Sequence, residues 1–250
     1  DQFFSMNNLD YVTSSAENLP TIIGESRVEE IILTIPTEGI VPELTTTVSA
    51  PKGIKNKDVL NAMETIDRGL FLEGIFQERS QDDIPLPINC GQTISQPSVV
   101  AKMIENLEIN KNCKVLEVGT GSGYQTAILS KLSRRVYSIE RHEFLKQKAE
   151  ELLLKNYFKN VTCIFGDGSL GMEHQAPFDR ILISAAAEDI PQTLIKQLKY
   201  GGIMVLPVGF SMEEQTLIKV RKDKDQTHYE EISKVRFVPL VEGLQNIRND

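Results

Sequence analysis

Residues 114–124 read KVLEVGTGSGY, and this stretch decides the fold of the chain. An apolar run enters three glycines at alternate positions, Gly119, Gly121 and Gly123, and a helical pattern follows at once from Gln125 to Leu132. A strand, a glycine turn and a helix in that order form the first unit of a nucleotide-binding α/β sheet. Glycine suits such a turn because its backbone can approach a ligand where a Cβ atom would collide.

The same alternation of apolar strands and amphipathic helices continues downstream. Further strands are predicted at Arg135–Ile139, Val161–Phe165, Asp179–Ser184 and Gly202–Pro207, and further helices at Glu143–Lys155 and Pro191–Leu198. Two last strands, Gln215–Val220 and Tyr229–Val238, surround a polar turn and predict an antiparallel pair at the sheet edge. The expected fold class is therefore α/β: a doubly wound, mostly parallel, Rossmann-like sheet with helices on both faces and an antiparallel C-terminal strand pair.

The residues before the glycine loop divide into two parts. Residues 1–53 are largely polar and carry no catalytic pattern. We expect them to form an N-terminal extension with partial disorder, followed by one domain over residues 54–250. Within that domain a helix is predicted at Ser98–Leu107, with Ser95 as its N-cap and Pro97 in its first turn.

Composition and charge narrow the possible functions. The chain of 250 residues is 40% hydrophobic, which is enough for a sizeable core. Its formal net charge of -8 argues against general binding to nucleic acid or to an anionic membrane. No apolar run reaches the roughly 18 residues that a membrane-spanning helix needs, and residues 1–20 lack the pattern of a signal peptide. We therefore expect a cytoplasmic monomer.

Three cysteines are present, Cys90, Cys113 and Cys163. Their number is odd, and their spacing contains no Cys-x-x-Cys pair and no Cys/His cluster. Reduced thiols are expected, with Cys113 and Cys163 buried at predicted strands, and no metal site is expected.

The spacing of the glycines indicates which kind of nucleotide is bound. A dinucleotide fingerprint needs G-x-G-x-x-G, whereas this chain has G-x-G-x-G followed by the bulky Tyr124. Glu140 ends the second predicted strand, where it either accepts hydrogen bonds from both ribose hydroxyls or is a solvated strand-end charge. Asp167, between Gly166 and Gly168 after the third strand, either accepts from an exocyclic amine such as that of adenine or forms an Asp-Gly turn.

Nothing near the glycine loop offers countercharge to a phosphate. The sequence around Gly119–Gly123 contains no Walker lysine, no second glycine loop and no run of basic residues. A ligand with ribose and adenine but without phosphate fits best, and S-adenosylmethionine is such a ligand.

Five stretches of the chain resemble the protein-L-isoaspartate O-methyltransferases. They are Pro87–Pro97 (PINCGQTISQP), Val115–Leu132 (VLEVGTGSGYQTAILSKL), Gly166–Gly168 with Ala176–Asp179 (GDG, APFD), Gln197–Gly209 (QLKYGGIMVLPVG) and Val235–Leu240 (VRFVPL). The GxGSG loop and GDG turn occur in many class I methyltransferases, whereas GQTIS-x-P before the nucleotide-binding strand is the specific mark of this family. The resemblance runs from about Ile54 to about Leu244.

The resemblance implies a function and a set of site residues. Enzymes of this family methylate the free α-carboxylate of isoaspartyl residues in damaged proteins and peptides with S-adenosylmethionine, and the ester then closes to a succinimide, which starts repair. Ser95 matches the active-site serine, between cofactor and peptide. The cofactor-binding positions implied are Thr93, Ile94, Gly119, Gly121, Glu140, Asp167, Gly168 and Gln215.

The chain departs from the family pattern at three places. Gln81 stands where the family usually has a tyrosine, Asn89 replaces the first glycine of P-I-G-x-G, and Ile66-Asp67-Arg68 replaces V-P-R. These changes are expected on the peptide-facing side, so they bear on the substrate rather than on the cofactor.

The implied reaction needs no general base, because a carboxylate is already ionised at pH 7. The three histidines, His142, His174 and His228, accordingly lie in no motif that would make them bases. Ser95 is then expected to orient the carboxylate by a hydrogen bond, although a serine at this place is also an ordinary helix cap.

Two other functions use the same sequence features. A peptide-tailoring O-methyltransferase would methylate a normal aspartate, and a stable ester on one defined peptide would identify it. A peptide-binding module of the same fold would bind the cofactor without turnover. An NAD-linked oxidoreductase fits the glycine spacing least well.

Overall fold

The computed structural model describes residues 51, 53–210 and 214–245. The chain divides into two compact units, Asp1–Thr45 and Thr46–Asp250, and the whole of the first lies outside the described residues. The predicted N-terminal extension, with its partial disorder, therefore falls almost entirely on residues that the structure does not describe.

Nine strands form two sheets in the described part of the second unit. They are β1 (Leu86–Pro87), β2 (Thr93–Ile94), β3 (Lys114–Val118), β4 (Arg135–Glu140), β5 (Val161–Phe165), β6 (Phe178–Ile183), β7 (Leu198–Val208), β8 (Gln215–Lys222) and β9 (Thr227–Val235). The small sheet pairs β1 with β2, and the large one has the order β5-β4-β3-β6-β7-β8-β9. Strands β3 to β7 run parallel, and β8 and β9 add an antiparallel pair, which confirms the predicted fold class.

Five α-helices accompany these strands in the described residues. They are α1 (Lys57–Glu64), α2 (Pro97–Asn106), α3 (Tyr124–Leu132), α4 (Glu143–Lys155) and α5 (Gln192–Gln197). Most predicted bounds agree to within one or two residues. Two strands are exceptions: β7 begins at Leu198 instead of Gly202, and the last strand ends at Val235 instead of Val238, so that the chain leaves the sheet three residues early.

Alternate residues of β3 belong to two different apolar clusters. Val115 packs with Ile104 and Leu129, whereas Leu116 packs with Phe178 and Met204 on the other side. Successive side chains of a strand point to opposite faces, so both faces of the sheet are covered.

None of the helices in the described ranges is long and apolar enough to cross a membrane.

The predicted N-cap of α2 is wrong. The cap position is Gln96, and the side chain that satisfies the first turn comes from the distant Asp83, whose Oδ1 accepts from the Ser98 amide at 2.8 Å. Its Oδ2 accepts from Gln96 Nε2 at 3.0 Å. Burial raises the pKa of Asp83, but these hydrogen bonds outweigh it and hold the pKa below its usual value. The Ser95 side chain is therefore not used as a cap.

Candidate active site

A cavity of about 290 Å³ lies at the carboxyl ends of β3, β4 and β6. Strand β3 lies between β4 and β6 in the sheet, and the connections diverge to its two sides, which is where open α/β sheets bind ligands. Seven of the residues predicted from sequence line this one cavity: Thr93, Ile94, Ser95, Gly119, Gly121, Glu140 and Gly168. Two predicted residues, Asp167 and Gln215, are not in its lining.

The glycine loop brings bare backbone to the cavity. Gly119 has φ of 94°, a left-handed angle that suits glycine, and a Cβ built on it would lie 3.4 Å from the Ser184 Cβ. On the far side of the cavity, a Cβ on Gly168 would collide with the Val118 side chain. Gly168 thus packs directly against Val118 of β3, which requires a residue without a side chain at this position.

Glu140 is 95% buried at the end of β4, and its carboxylate is held by backbone. Its Oε2 accepts from the Gly121 amide at 2.9 Å, and its Oε1 accepts from the His142 amide at 3.0 Å. A carboxylate offers about four lone-pair sites, so each oxygen can still accept one more hydrogen bond. The geometry suits a vicinal diol, such as the two hydroxyls of a ribose.

Asp167 lies at the rim of the cavity. Its Oδ1 accepts from the amide and the hydroxyl of Ser169, at 2.9 and 2.7 Å, and its Oδ2 accepts from the Gly243 amide at 2.6 Å. Burial raises the pKa of Asp167, but these bonds outweigh it and lower the pKa. The Asp-Gly turn is thus present, and the contact of Asp167 with an adenine stays a prediction.

The β1–β2 hairpin presents Ser95 to the cavity. Pro87 pairs with Thr93, and Leu86 pairs with Ile94, so that the residues 93–95 follow one wall of the cavity. The Ser95 carbonyl accepts from Arg68 Nη2 at 3.2 Å. The described residues supply no hydrogen-bond partner for the Ser95 hydroxyl, which leaves it available to a ligand.

A second cavity of about 380 Å³ adjoins the first. The two cavities share four lining residues: Thr93, Ser95, Ser184 and Val238. Exposed Lys234 and Arg236 line the second cavity together with Glu214, so its rim carries two cations and one anion. Ser95 therefore stands at the boundary between two spaces, one beside the glycine loop and one beside basic residues.

Gln215 is almost fully buried at the start of β8, outside both cavities. Its Nε2 donates to the Phe210 carbonyl at 3.1 Å, and its Oε1 accepts from the Phe237 amide at 2.8 Å. The side chain thereby fixes the segment that continues into the cavity wall at Val238. A direct contact of Gln215 with the cofactor stays a prediction.

The departures Gln81 and Asn89 do not line the second cavity. Asn89 instead accepts from Lys148 Nζ at 2.8 Å, and Lys148 also pairs with Glu73 at 2.6 Å. The Asn89 side chain thus ties the hairpin to α4 and lines a third cavity, which shares Gly121 and Ser122 with the first.

Sequence reasoning missed three parts of the site. His142 is 6% exposed and lines the first cavity, and burial lowers its pKa despite the nearby Glu140. Ser184 is the first residue after β6, so the rule that ligands bind at the carboxyl ends of strands could have identified it. Residues 238–241 form a wall because the Ala186 amide donates to the Val238 carbonyl at 2.8 Å, a contact that no local pattern reveals.

A buried carboxyl lies behind the glycine loop. Glu117 of β3 is fully buried and accepts from Thr126 Oγ1 and Ser138 Oγ, both at 2.6 Å, and from Gln125 Nε2 at 3.0 Å. Burial raises its pKa to about 7, although the three hydrogen bonds act in the opposite direction. Gln125 Nε2 also donates to Ser184 Oγ at 2.6 Å, which links this carboxyl to the cavity wall.

Sequence comparisons show which known proteins the chain is similar to. The sequence profile of protein-L-isoaspartate(D-aspartate) O-methyltransferase matches residues 41–245. The chain is 58% identical over 193 residues to a protein-L-isoaspartate O-methyltransferase of Ruegeria sp., and 60% identical over 193 residues to that of Roseobacter denitrificans. These matches cover 77% of this chain and 90% and 91% of the two relatives.

Two solved structures share the fold. A protein-L-isoaspartate O-methyltransferase superposes with a TM-score of 0.68 at 26% identity, over 74% of this chain and 61% of that protein's length. A Plasmodium falciparum protein assigned to the same enzyme, in complex with S-adenosyl-L-homocysteine, gives a TM-score of 0.66 at 26% identity, over 76% and 93% of the two chains. The sequence and structure comparisons together confirm the predicted fold, enzyme class and S-adenosylmethionine cofactor. The chain belongs to the protein-L-isoaspartate(D-aspartate) O-methyltransferase family.

Proposed function

We propose that this protein methylates the free α-carboxylate of isoaspartyl residues at the boundary between the two cavities. The cofactor occupies the cavity of about 290 Å³ beside the glycine loop, and the peptide occupies the cavity of about 380 Å³. The observation that supports this assignment is the set of four lining residues that the two cavities share, among them Ser95.

All the predicted cofactor residues except Gln215 have a role in this assignment. Glu140 accepts from the ribose hydroxyls with the lone pairs that the Gly121 and His142 amides leave available. Asp167 and Gly168 hold the adenine side, the backbone of Gly119 and Gly121 approaches the ligand closely, and the Thr93–Ile94 strand covers it. Bound S-adenosylmethionine would supply an electrophilic methyl group for transfer to the carboxylate oxygen, with the sulfur as the leaving group.

The chain contributes orientation rather than proton transfer. The acceptor carboxylate is ionised at pH 7, so no base is needed, and the Ser95 hydroxyl donates one hydrogen bond that holds it in line. Arg68 holds the Ser95 backbone in place through a hydrogen bond to its carbonyl oxygen. The resulting methyl ester closes to a succinimide without further help from the protein.

Charge around the second cavity favours an anionic acceptor. Lys234 and Arg236 are both exposed at its rim, and Lys234 Nζ is anchored by a bond of 2.7 Å to Thr216 Oγ1. Glu214 on the same rim partly offsets them. The cations attract any carboxylate, so their charge does not distinguish isoaspartate from aspartate. In this proposal the selection depends on the distance from the peptide backbone to Ser95.

We further propose that the protein acts as a cytoplasmic monomer, without nucleic acid or membrane as a partner. The net charge of -8 supports the absence of nucleic-acid and membrane partners, because a negative protein is repelled by polyanionic surfaces. Residues 1–53 are proposed as an extension before a methyltransferase domain at 54–250, although the family match already begins at residue 41.

The function is tested with labelled S-adenosylmethionine and paired peptides. One peptide contains isoaspartate and its twin contains aspartate at the same place. We expect base-labile label on the isoaspartyl peptide only. A stable ester on the aspartyl peptide would instead identify a tailoring enzyme, and cofactor binding without label on either peptide would identify a binding module.

A further inference from the structure

We propose that Ser184 is a second hydroxyl donor to the acceptor carboxylate, opposite Ser95, and that Gln125 is the positioning residue that sets its direction. The inference deepens the proposed function and rests on the placement of the two cavities. It adds a contact that lies outside the GQTIS segment.

The backbone places Ser184 at the junction of the two cavities. Ser184 follows β6 directly, and its amide donates to the Val118 carbonyl at 2.9 Å, which seats it beside the end of β3. Its side chain lies beside Gly119, and its Cβ is 3.4 Å from the place that a Cβ on this glycine would occupy. Of the residues that line both cavities, Thr93 and Ser95 belong to the hairpin, whereas Ser184 comes from the sheet.

The hydrogen bonds of Gln125 show which way the Ser184 hydroxyl points. Gln125 Nε2 has two hydrogens, and it donates one to Glu117 Oε1 at 3.0 Å and the other to Ser184 Oγ at 2.6 Å. Thr126 Oγ1 and Ser138 Oγ both lie 2.6 Å from Glu117 Oε2, so a proton on this carboxyl is shared there, and Oε1 stays an acceptor in either ionisation state. Oε1 therefore fixes the amide with its nitrogen inward. Ser184 Oγ is therefore an acceptor from Gln125, and its own hydrogen is left to donate. The described part of the chain supplies no acceptor for that hydrogen.

A carboxylate makes use of a second donor. One hydrogen bond from Ser95 leaves the carboxylate free to rotate about that bond, so the attacking oxygen is not held in line. A second hydroxyl on another wall of the same junction fixes its plane, and orientation of this kind is a main source of rate in displacement reactions. Hydrogen bonds to charged groups are also about twice as strong as neutral ones.

Three variants test the proposal in the full-length protein. Ser184→Ala removes the donor, Gln125→Met removes the group that directs it, and Thr126→Val is the matched control. Thr126 also donates to Glu117, at 2.6 Å, but it does not contact Ser184. The readouts are kcat and KM for an isoaspartyl peptide, the affinity for S-adenosylmethionine by calorimetry, and peptide binding by fluorescence anisotropy with S-adenosylhomocysteine present.

We expect Ser184→Ala and Gln125→Met to lower kcat/KM for the peptide roughly ten- to hundredfold and to weaken peptide binding, with cofactor affinity unchanged. Thr126→Val should keep wild-type kinetics. Wild-type kinetics in Ser184→Ala would overturn the proposal, as would a loss of cofactor affinity with peptide binding intact. A wild-type protein that methylates no isoaspartyl peptide would instead overturn the proposed function, so the two failures are distinguishable.

Discussion

Arg68 Nη2 donates to the backbone carbonyl of Ser95 at 3.2 Å, which ties a fully buried cation to the residue that we place beside the acceptor. The same guanidinium also donates to the carbonyls of Ser80 and Ile84, both at 2.9 Å. The loop at residues 80–84 and the segment after the hairpin thus converge on one side chain, and the position of Ser95 depends on it.

Arg68→Lys tests this convergence. A lysine keeps the charge, but its single ammonium group cannot reach carbonyls that a planar fork spans. We expect the free energy of unfolding to fall by roughly 2–4 kcal/mol and kcat to fall at least about tenfold. Urea unfolding and steady-state kinetics provide the measurements. The control is Arg79→Lys, because Arg79 is exposed and makes one ion pair of 2.8 Å with Asp82, so its effect should stay within about 0.5 kcal/mol.

Ser95→Ala separates catalysis from folding. Since Asp83 and not Ser95 caps α2, removal of the hydroxyl should leave stability nearly unchanged. We expect a fall in kcat of roughly tenfold or more, with the affinity for S-adenosylmethionine intact, because only the orienting bond is lost. The reverse pattern is expected for Asp83→Ala, which should cost about 1 kcal/mol of stability. An unchanged rate in Ser95→Ala would remove the orienting role.

Glu140→Ala and Asp167→Ala should each weaken binding of S-adenosylmethionine, as measured by calorimetry. The Glu140 change should be the larger, because Glu140 lines the cavity and also holds the Gly121 amide. Neutralisation of the exposed Glu143, three residues after Glu140, controls for the loss of one negative charge. Wild-type affinity in both site variants would show that the nucleotide is not placed as we propose.

Glu117 should make stability depend on pH. Burial raises its folded-state pKa from 4.5 to about 7, so the folded protein holds a proton that the unfolded chain releases between these values. Stability should therefore decrease as pH rises from about 4.5 to about 7, by on the order of 3 kcal/mol, and this contribution should stay constant above pH 7.

Glu117→Gln removes the ionisation and provides the check. The free energy of unfolding of the variant, relative to that of the wild type, should be larger at pH 8 than at pH 5. Glu64→Gln, at an exposed position of α1, is the control for removing one carboxyl group. An identical difference at both pH values would mean that Glu117 does not titrate in this range.

Local pattern was sufficient wherever the chain follows regular alternation. Strand β3 and helix α4 have the predicted bounds because their apolar periodicity is not interrupted. The pattern also predicted Gly119, Gly121, Glu140 and Gly168 of one cavity, since glycine turns and strand-end acids occur at the carboxyl edge of a parallel sheet. The other three residues predicted there, 93–95, followed from the family resemblance.

Long-range contacts explain what local pattern could not predict. Ser95 looked like a cap because it stands just before a helix, yet Asp83 reaches that helix end from another loop. The last strand was predicted to continue to Val238, but Gln215 and Ala186 draw the chain away from the sheet. Ser184 carries no motif of its own, and only the tertiary neighbours Gln125 and Glu117 give its hydroxyl a direction.

The early end of β9 also affects when the site can be completed. Residues 238–241 line the cofactor cavity, and Gly243 binds both Asp167 and Arg141. During synthesis these residues follow both the glycine loop and the last strand of the sheet. The wall of the cavity is therefore the last part of the site to be synthesised. If the cofactor binds where we propose, the full stabilisation from its binding becomes available once synthesis has passed this segment.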